Sequence, residues 1–128
     1  MNLCDPALHY DVAMASILLI DDDLAFLQIL QQQLRDSGCE VSAATNGVDG
    51  VVKFDKGNFD LVIVDVMLPG GGGIWTINHI RHNKFQIPII AISGDRSCLD
   101  DIEDYGSDKA LLKPFHFDEL QKAIHELL

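Results

Sequence analysis

Basic residues are scarce in this chain. Nine lysines and arginines stand against twenty aspartates and glutamates, for a formal net charge of −11 over 128 residues. An excess of that sign repels phosphate backbones, so direct nucleic acid binding is not expected. Cysteine is rarer still: Cys4, Cys39 and Cys98 form an odd count without CxxC spacing. That argues against a disulfide framework or a cysteine metal site and suggests a reducing compartment. No apolar run reaches the length of a membrane span. The stretch Met1 to Ser16 has no lysine or arginine and so lacks the basic start of a signal peptide. A cytoplasmic protein with no membrane association is expected. The remaining composition, 48% hydrophobic and 23% charged, argues against disorder, and the length suits one domain with a sizeable core.

Short apolar runs alternate with amphipathic stretches. Ile17–Ile20 predicts a strand that ends in three aspartates. Asp23 can cap a helix from Leu24, with Leu24, Leu27, Leu30 and Leu34 on one face and Gly38 as its stop. Glu40–Ala44 predicts a weak strand and Val48–Lys56 a helix closed by Gly57. Leu61–Val64 is the clearest buried strand, again followed by an aspartate. Gly70–Gly73 reads as a flexible loop before a helix that runs to about Asn83. Ile87–Ile92 predicts a fourth strand ending at Ser93, Cys98–Tyr105 a short acidic helix, Ala110–Leu112 a fifth strand and Asp118–Leu128 a last helix. Because that helix reaches the end of the chain, no output domain is expected to follow. Five alternations of strand and helix predict an α/β fold with a parallel sheet covered on both faces.

In an open doubly wound sheet, ligands bind beyond the carboxyl ends of the strands. The residues delivered there are Asp21 and Asp22 from the first strand, Asp65 from the third, Ser93 from the fourth and Lys113 from the fifth. If the strand order is 2-1-3-4-5, the three carboxylates converge. Such crowding needs protons or a cation. Oxygen-only ligands with room for water suit Mg²⁺ better than Ca²⁺. A lysine and a serine hydroxyl opposite could hold phosphoryl oxygens, and a carboxylate can accept a phosphoryl group. Taken singly, each feature has a plain structural reading: a capping turn, the start of a loop, a Ser-Gly turn, an element boundary. Their joint appearance at four strand ends is what chance does not explain.

The segments ILLIDDD (Ile17–Asp23), LVIVDVMLPGGGG (Leu61–Gly73), PIIAISGD (Pro88–Asp95) and LLKPF (Leu111–Phe115) resemble the receiver domains of bacterial response regulators. The resemblance covers Ile17 to Leu128 and leaves residues 1–16 as an N-terminal extension. It implies a flavodoxin-like five-stranded parallel sheet of order 2-1-3-4-5. It further implies that Asp21 and Asp22 bind Mg²⁺ together with Asp65 and the backbone carbonyl of Met67. Asp65 would accept phosphate from a histidine kinase or a phosphotransfer protein, Ser93 and Lys113 would sense it, and a downstream protein partner would read the result. A cis bond at Lys113–Pro114 is also implied. One departure stands out. Relatives often carry an aromatic residue three positions before the lysine, where this chain has Ala110, which has no rotamer to switch.

Two other functions compete. An aspartate-nucleophile phosphatase or phosphotransferase could use the D-x-D triplet Asp21–Asp23, but the chain has no cap domain and little length for a substrate pocket. A receiver-like module that binds partners without phosphorylation would not need Asp21, Asp22, Asp65, Ser93 and Lys113 together. The reading is therefore a phosphoacceptor signalling domain, not a turnover enzyme. Trp75 is expected on the surface of the third helix or against a partner, and His79 and His82 on a solvated face.

Overall fold

A computed structural model of the chain describes residue 12 and residues 14–69, 72–84 and 86–128. Most of the expected N-terminal extension, with Cys4, lies outside the described residues, as do Gly70 and Gly71 of the glycine run. The elements in chain order are β1 (Ser16–Ile20), α1 (Leu24–Asp36), β2 (Glu40–Ala44), α2 (Gly47–Lys56), β3 (Leu61–Asp65), α3 (Gly72–Asn83), β4 (Ile89–Ser93), β5 (Lys109–Leu112) and α4 (Phe117–Leu127). All five strands are parallel, in the order β2-β1-β3-β4-β5. This is the doubly wound sheet predicted from the alternation of elements. β1 already includes Ser16, and buried Val12 and Ala15 belong to the core below it.

The sheet is sealed on both sides by strict alternation along its strands. Ile17 and Leu19, Leu61 and Ile63, and Ile90 and Ile92 face α1 and α4, joining Leu27, Leu30, Leu34, Leu120 and Ile124. Leu18 and Ile20, Val62 and Val64, and Ile89 and Ala91 face the other way, toward Phe54, Ile77 and Ile80. A period of two that places an apolar residue on each face leaves the three central strands without a polar side until their last residues. At that end Asp65 closes β3, Ser93 closes β4 and Asp21 follows β1.

Local chemistry fixes the elements that meet at this rim. Asp23 caps α1, accepting the Phe26 N–H at 3.1 Å. Asn46 caps α2 through the Asp49 N–H at 2.8 Å. Leu24 is not part of the buried face: it is 64% exposed. It occupies the first position of α1, at the rim, where no strand remains to cover it. His116 precedes α4 without making a side-chain cap.

The glycine run is not simply a flexible loop. Gly72 (φ +71°) and Gly73 open α3. A Cβ on Gly73 would lie 2.4 Å from the Val66 Cα and 2.5 Å from the Asp65 carbonyl oxygen. The Gly73 N–H donates to the Val66 carbonyl at 3.0 Å, so α3 starts against the backbone that leaves β3. Only glycine permits that approach.

The connection between β4 and β5 also differs from expectation. No acidic helix spans Cys98–Tyr105. Two 3-10 turns, Arg96–Cys98 and Ile102–Tyr105, take its place. Asp100 and Asp101 are poor helix formers, and Asp101 adopts φ +61°, which no α-helix accommodates. Within these turns only Ile102 is buried. The far end of the connection is fastened by Arg81 of α3, whose guanidinium donates to the Gly106 carbonyl (2.7 Å), the Ile87 carbonyl (2.5 Å) and the Asp108 carboxylate (2.6 Å).

The close approach of Gly73 yields a quantitative expectation. Gly73→Ala forces a methyl group into backbone that cannot rotate away, and should cost about 3 kcal/mol of unfolding free energy. Gly72→Ala meets open space and carries only the left-handed backbone penalty, about 1 kcal/mol. Chemical denaturation of the two variants measures both; equal losses would mean that the approach at Gly73 is not what constrains the run.

Candidate functional site

The site lies beyond the carboxyl ends of β1, β3, β4 and β5. Asp21 follows β1 and is fully buried, and Asp65 ends β3 and is nearly so. Each carboxylate is held in the same way. Asp21 Oδ1 accepts the Asp23 N–H at 2.9 Å, and Asp65 Oδ1 accepts the Met67 N–H at 2.8 Å. An Asx turn of this kind fixes the side chain with one oxygen and leaves the other aimed inward. Both inward oxygens meet the same cation. The Lys113 ammonium donates to Asp21 Oδ2 at 2.5 Å and to Asp65 Oδ2 at 3.0 Å. Asp22, exposed, completes the acidic group: carboxylate oxygens of Asp21, Asp22 and Asp65 all lie within 4.8 Å of one another. An all-oxygen set of that density, already drawing in an ammonium, suits a hard divalent cation of the Mg²⁺ kind.

Lys113 follows β5 and is placed by its N–H, which donates to the Ser93 carbonyl at 2.8 Å; the Lys113–Pro114 peptide is cis. Its ammonium also sits 4.1 Å from the centroid of the Phe26 ring. Ser93 ends β4 and is fully buried, between β3 and β5. Its hydroxyl accepts the Asp95 N–H at 3.1 Å, which uses a lone pair and leaves the hydroxyl proton able to donate. Met67, exposed at the rim, places its backbone next to Asp65. The structure thus brings Asp21, Asp22, Asp65 and Lys113 together, with Ser93 on the adjoining strand.

Sequence reasoning missed the Asx turns and Phe26. The turns leave a readable trace, an aspartate at the end of an apolar run in both cases. Phe26 had no trace beyond its place in the first turn of α1. Ala110 packs with the face that Ile102 covers. Trp75 is half-exposed on α3, as expected, with its ring 6.1 Å from that of His79. His79 is not simply solvated, because its Nε2 lies 3.0 Å from an Asp55 oxygen and links α3 to α2.

Burial pushes the Asp21 carboxyl above the usual aspartate range; the bonds from Lys113 and the Asp23 N–H pull it back only in part, and the Asp65 charge adds to the rise. Desolvation pulls the Lys113 ammonium down, but hydrogen bonds to Asp21 and Asp65 outweigh it, and its pKa ends above the ordinary lysine value. Lys113 therefore stays charged through the neutral range. Asp21 tolerates burial because Lys113 is there.

Removing the partner of a buried charge leaves that charge uncompensated. Lys113→Ala should destabilise the fold by about 3 kcal/mol at neutral pH. The sign with pH follows from Asp21. Its folded-state pKa lies above the ordinary 3.8 and rises further without the lysine. The cost is absent where Asp21 is protonated in both folded proteins and grows as pH climbs from the parent's folded-state value toward the variant's higher one. Denaturation of parent and variant across the acid range checks this; a difference independent of pH would show that Lys113 does not offset the Asp21 charge.

Comparison with known proteins agrees with this geometry. Residues 17–125 match the family model of the response regulator receiver domain. The chain is 33% identical over 117 residues to the transcriptional regulatory protein PcoR of Escherichia coli, covering 90% of this chain and 52% of that one. It spans about half the length of the curated relatives it matches. Among solved structures, the response regulator TrrA of Thermotoga maritima in complex with Mg²⁺-BeF is 34% identical with a TM-score of 0.84, over 90% of this chain and 100% of that one. The complex of the histidine kinase ThkA with TrrA matches at 34% identity and a TM-score of 0.82, over 90% and 99%. By sequence and by fold, the chain belongs to the response regulator receiver domain family.

Proposed function

We propose that Asp65 is the phosphoacceptor of this receiver domain, that Asp21, Asp22, Asp65 and the Met67 carbonyl hold Mg²⁺, and that Ser93 and Lys113 bind the transferred phosphoryl group. The observation that carries the reading is the Lys113 ammonium bridging the inward oxygens of Asp21 and Asp65 beside Asp22. A phosphohistidine of a histidine kinase or phosphotransfer protein is the expected donor. An Asp65 carboxylate oxygen attacks phosphorus, the P–N bond breaks as the O–P bond forms, and the imidazole leaves. Mg²⁺, when bound, supplies positive charge that screens the phosphoryl oxygens from the carboxylates. Lys113 gives up its bond to Asp65 and takes a phosphoryl oxygen, while the Ser93 hydroxyl donates to another. Because Ser93 Oγ also holds the Asp95 N–H, its movement is passed to the backbone of Gly94–Ser97, the route left where Ala110 offers no rotamer.

The domain is read as a cytoplasmic signalling phosphoacceptor that hands its state to a downstream protein partner, not as an enzyme with an external substrate. The start of the family match supports a receiver unit of residues 17–128, with Val12, Ala15 and Ser16 of the 1–16 extension packed into its core and first strand. Among the described residues, no helix is long and apolar enough to cross a membrane.

Asp65→Asn, which changes charge at nearly constant shape, should abolish labelling by acetyl phosphate with the fold retained. Asp22→Ala should weaken Mg²⁺ binding in an NMR titration. A chain beginning at Val12 should label as fully as the whole chain, and beryllofluoride with Mg²⁺ should shift the Gly94–Ser97 amides. Undiminished labelling of the asparagine variant would place the acceptor elsewhere. With a net charge of −11, the protein should leave duplex DNA unshifted at physiological salt and micromolar concentration; a salt-sensitive mobility shift would contradict that.

A further inference from the structure

Phe26 is half-buried in the first turn of α1, three residues after the Asp23 cap that holds its N–H. Its ring does not simply fill core. The face is turned to Lys113, with the ammonium 4.1 Å from the centroid. Phe115, two residues beyond Lys113, braces the ring edge-on, with centroids 6.0 Å apart and an interplanar angle of 88°. The two rings also wall a cavity of about 290 Å³ that opens beside Lys113. The lysine thus has three partners: two carboxylates on the inner side and an aromatic face toward the opening. The carboxylates are directional acceptors. The ring attracts a cation over its whole face, so an ammonium can slide across it at little cost.

We propose that Phe26 is a positioning residue for Lys113: its face keeps the ammonium over the acidic pair and lets it swing from the Asp65 oxygen to an incoming phosphoryl oxygen without returning to water. The inference rests on the reading of Lys113 as a phosphoryl ligand. In the unphosphorylated state Lys113 is bound to Asp65 Oδ2, and that bond must break for the nucleophile to react. An aliphatic residue at position 26 would desolvate the ammonium equally well but would not attract it. The lysine would then depend on the carboxylates alone and would release Asp65 less readily.

The test uses the full chain with Phe26→Leu and Phe26→Met, which keep apolar volume, and Phe26→Tyr, which keeps the ring face. In the unaltered protein the Lys113 Hε protons should show an upfield ring-current shift, retained in the tyrosine variant and lost in the other two. Labelling of Asp65 by acetyl phosphate should slow about threefold to tenfold in the leucine and methionine variants, the scale of a partly desolvated cation–π contact. Phe26→Tyr should recover most of that rate. A merely structural role would lower thermal stability in step with volume and leave the ranking by aromaticity absent. The inference is overturned if all three variants label at the parent rate, if leucine and tyrosine are slowed alike, or if the parent shows no ring-current shift. Failure of the parent itself to label, or labelling untouched by Asp65→Asn, would overturn the phosphoacceptor reading and this inference with it. Normal, Asp65-dependent labelling with no effect of Phe26 would overturn this inference alone.

Discussion

A lysine from the edge strand reaches two buried aspartates from the middle of the sheet, and much of the architecture serves that contact. Asp21 follows β1 and Lys113 follows β5, three strands away in the order β2-β1-β3-β4-β5, a separation of roughly 14 Å at ordinary strand spacing. A long side chain that carries its charge on a flexible stem can span what remains after the chain leaves β5; a short one could not. Asp21 could not be fully buried without it. The apolar strands create the dry floor, the floor makes the carboxylates costly, and the lysine makes them tolerable. The stability of the buried carboxylates is thus tied to one ammonium.

Much of this was legible in the amino-acid order, for identifiable reasons. β1, β3 and β4 lie between two layers of helices, so they read as apolar runs whose carboxyl ends fall at or just before a polar residue, whereas their starts were less legible: β1 begins at Ser16 and β4 at Ile89, not Ile87. A strand that ends in an aspartate announces both the end of the floor and what stands on it. Asp21, Asp65, Ser93 and Lys113 were found in this way, each one step past a hydrophobic segment. The alternation of elements gave a doubly wound parallel sheet, and the strand order came from the family resemblance.

What escaped was whatever depends on contact between distant segments. Gly73 is read as loop in a run of four glycines because nothing local says that the fourth will lie against the Asp65 carbonyl. The crossover after β4 has the length of a short helix, yet Asp101 turns to positive φ and Arg81, from another element, fastens the far end. Leu24 obeys helical periodicity but stands above the sheet, where periodicity has no partner. Phe26 belongs to the same class, since a half-exposed phenylalanine in an amphipathic helix gives no sign that a lysine 87 positions later will rest on its face.

The crossover between β4 and β5 gives the molecule a seam. Its two short turns are closed by i to i+3 bonds and held down by a single buried isoleucine, Ile102, between an anchor at Ser93 and the Arg81 fork. The central strands β1, β3 and β4, by contrast, are buried on both faces by the two core clusters. Opening is therefore uneven: this stretch can lift while the strands on either side stay paired. Proteolytic nicking and oxidation of half-buried Cys98 should concentrate along that seam. A nicked molecule would keep its acidic site, because Ser93 and Lys113 are fixed by β4 and β5 and not by the strip between them. The receiver is in this sense built in two grades of rigidity, a hard floor that holds the chemistry and a soft band beside it that wears first.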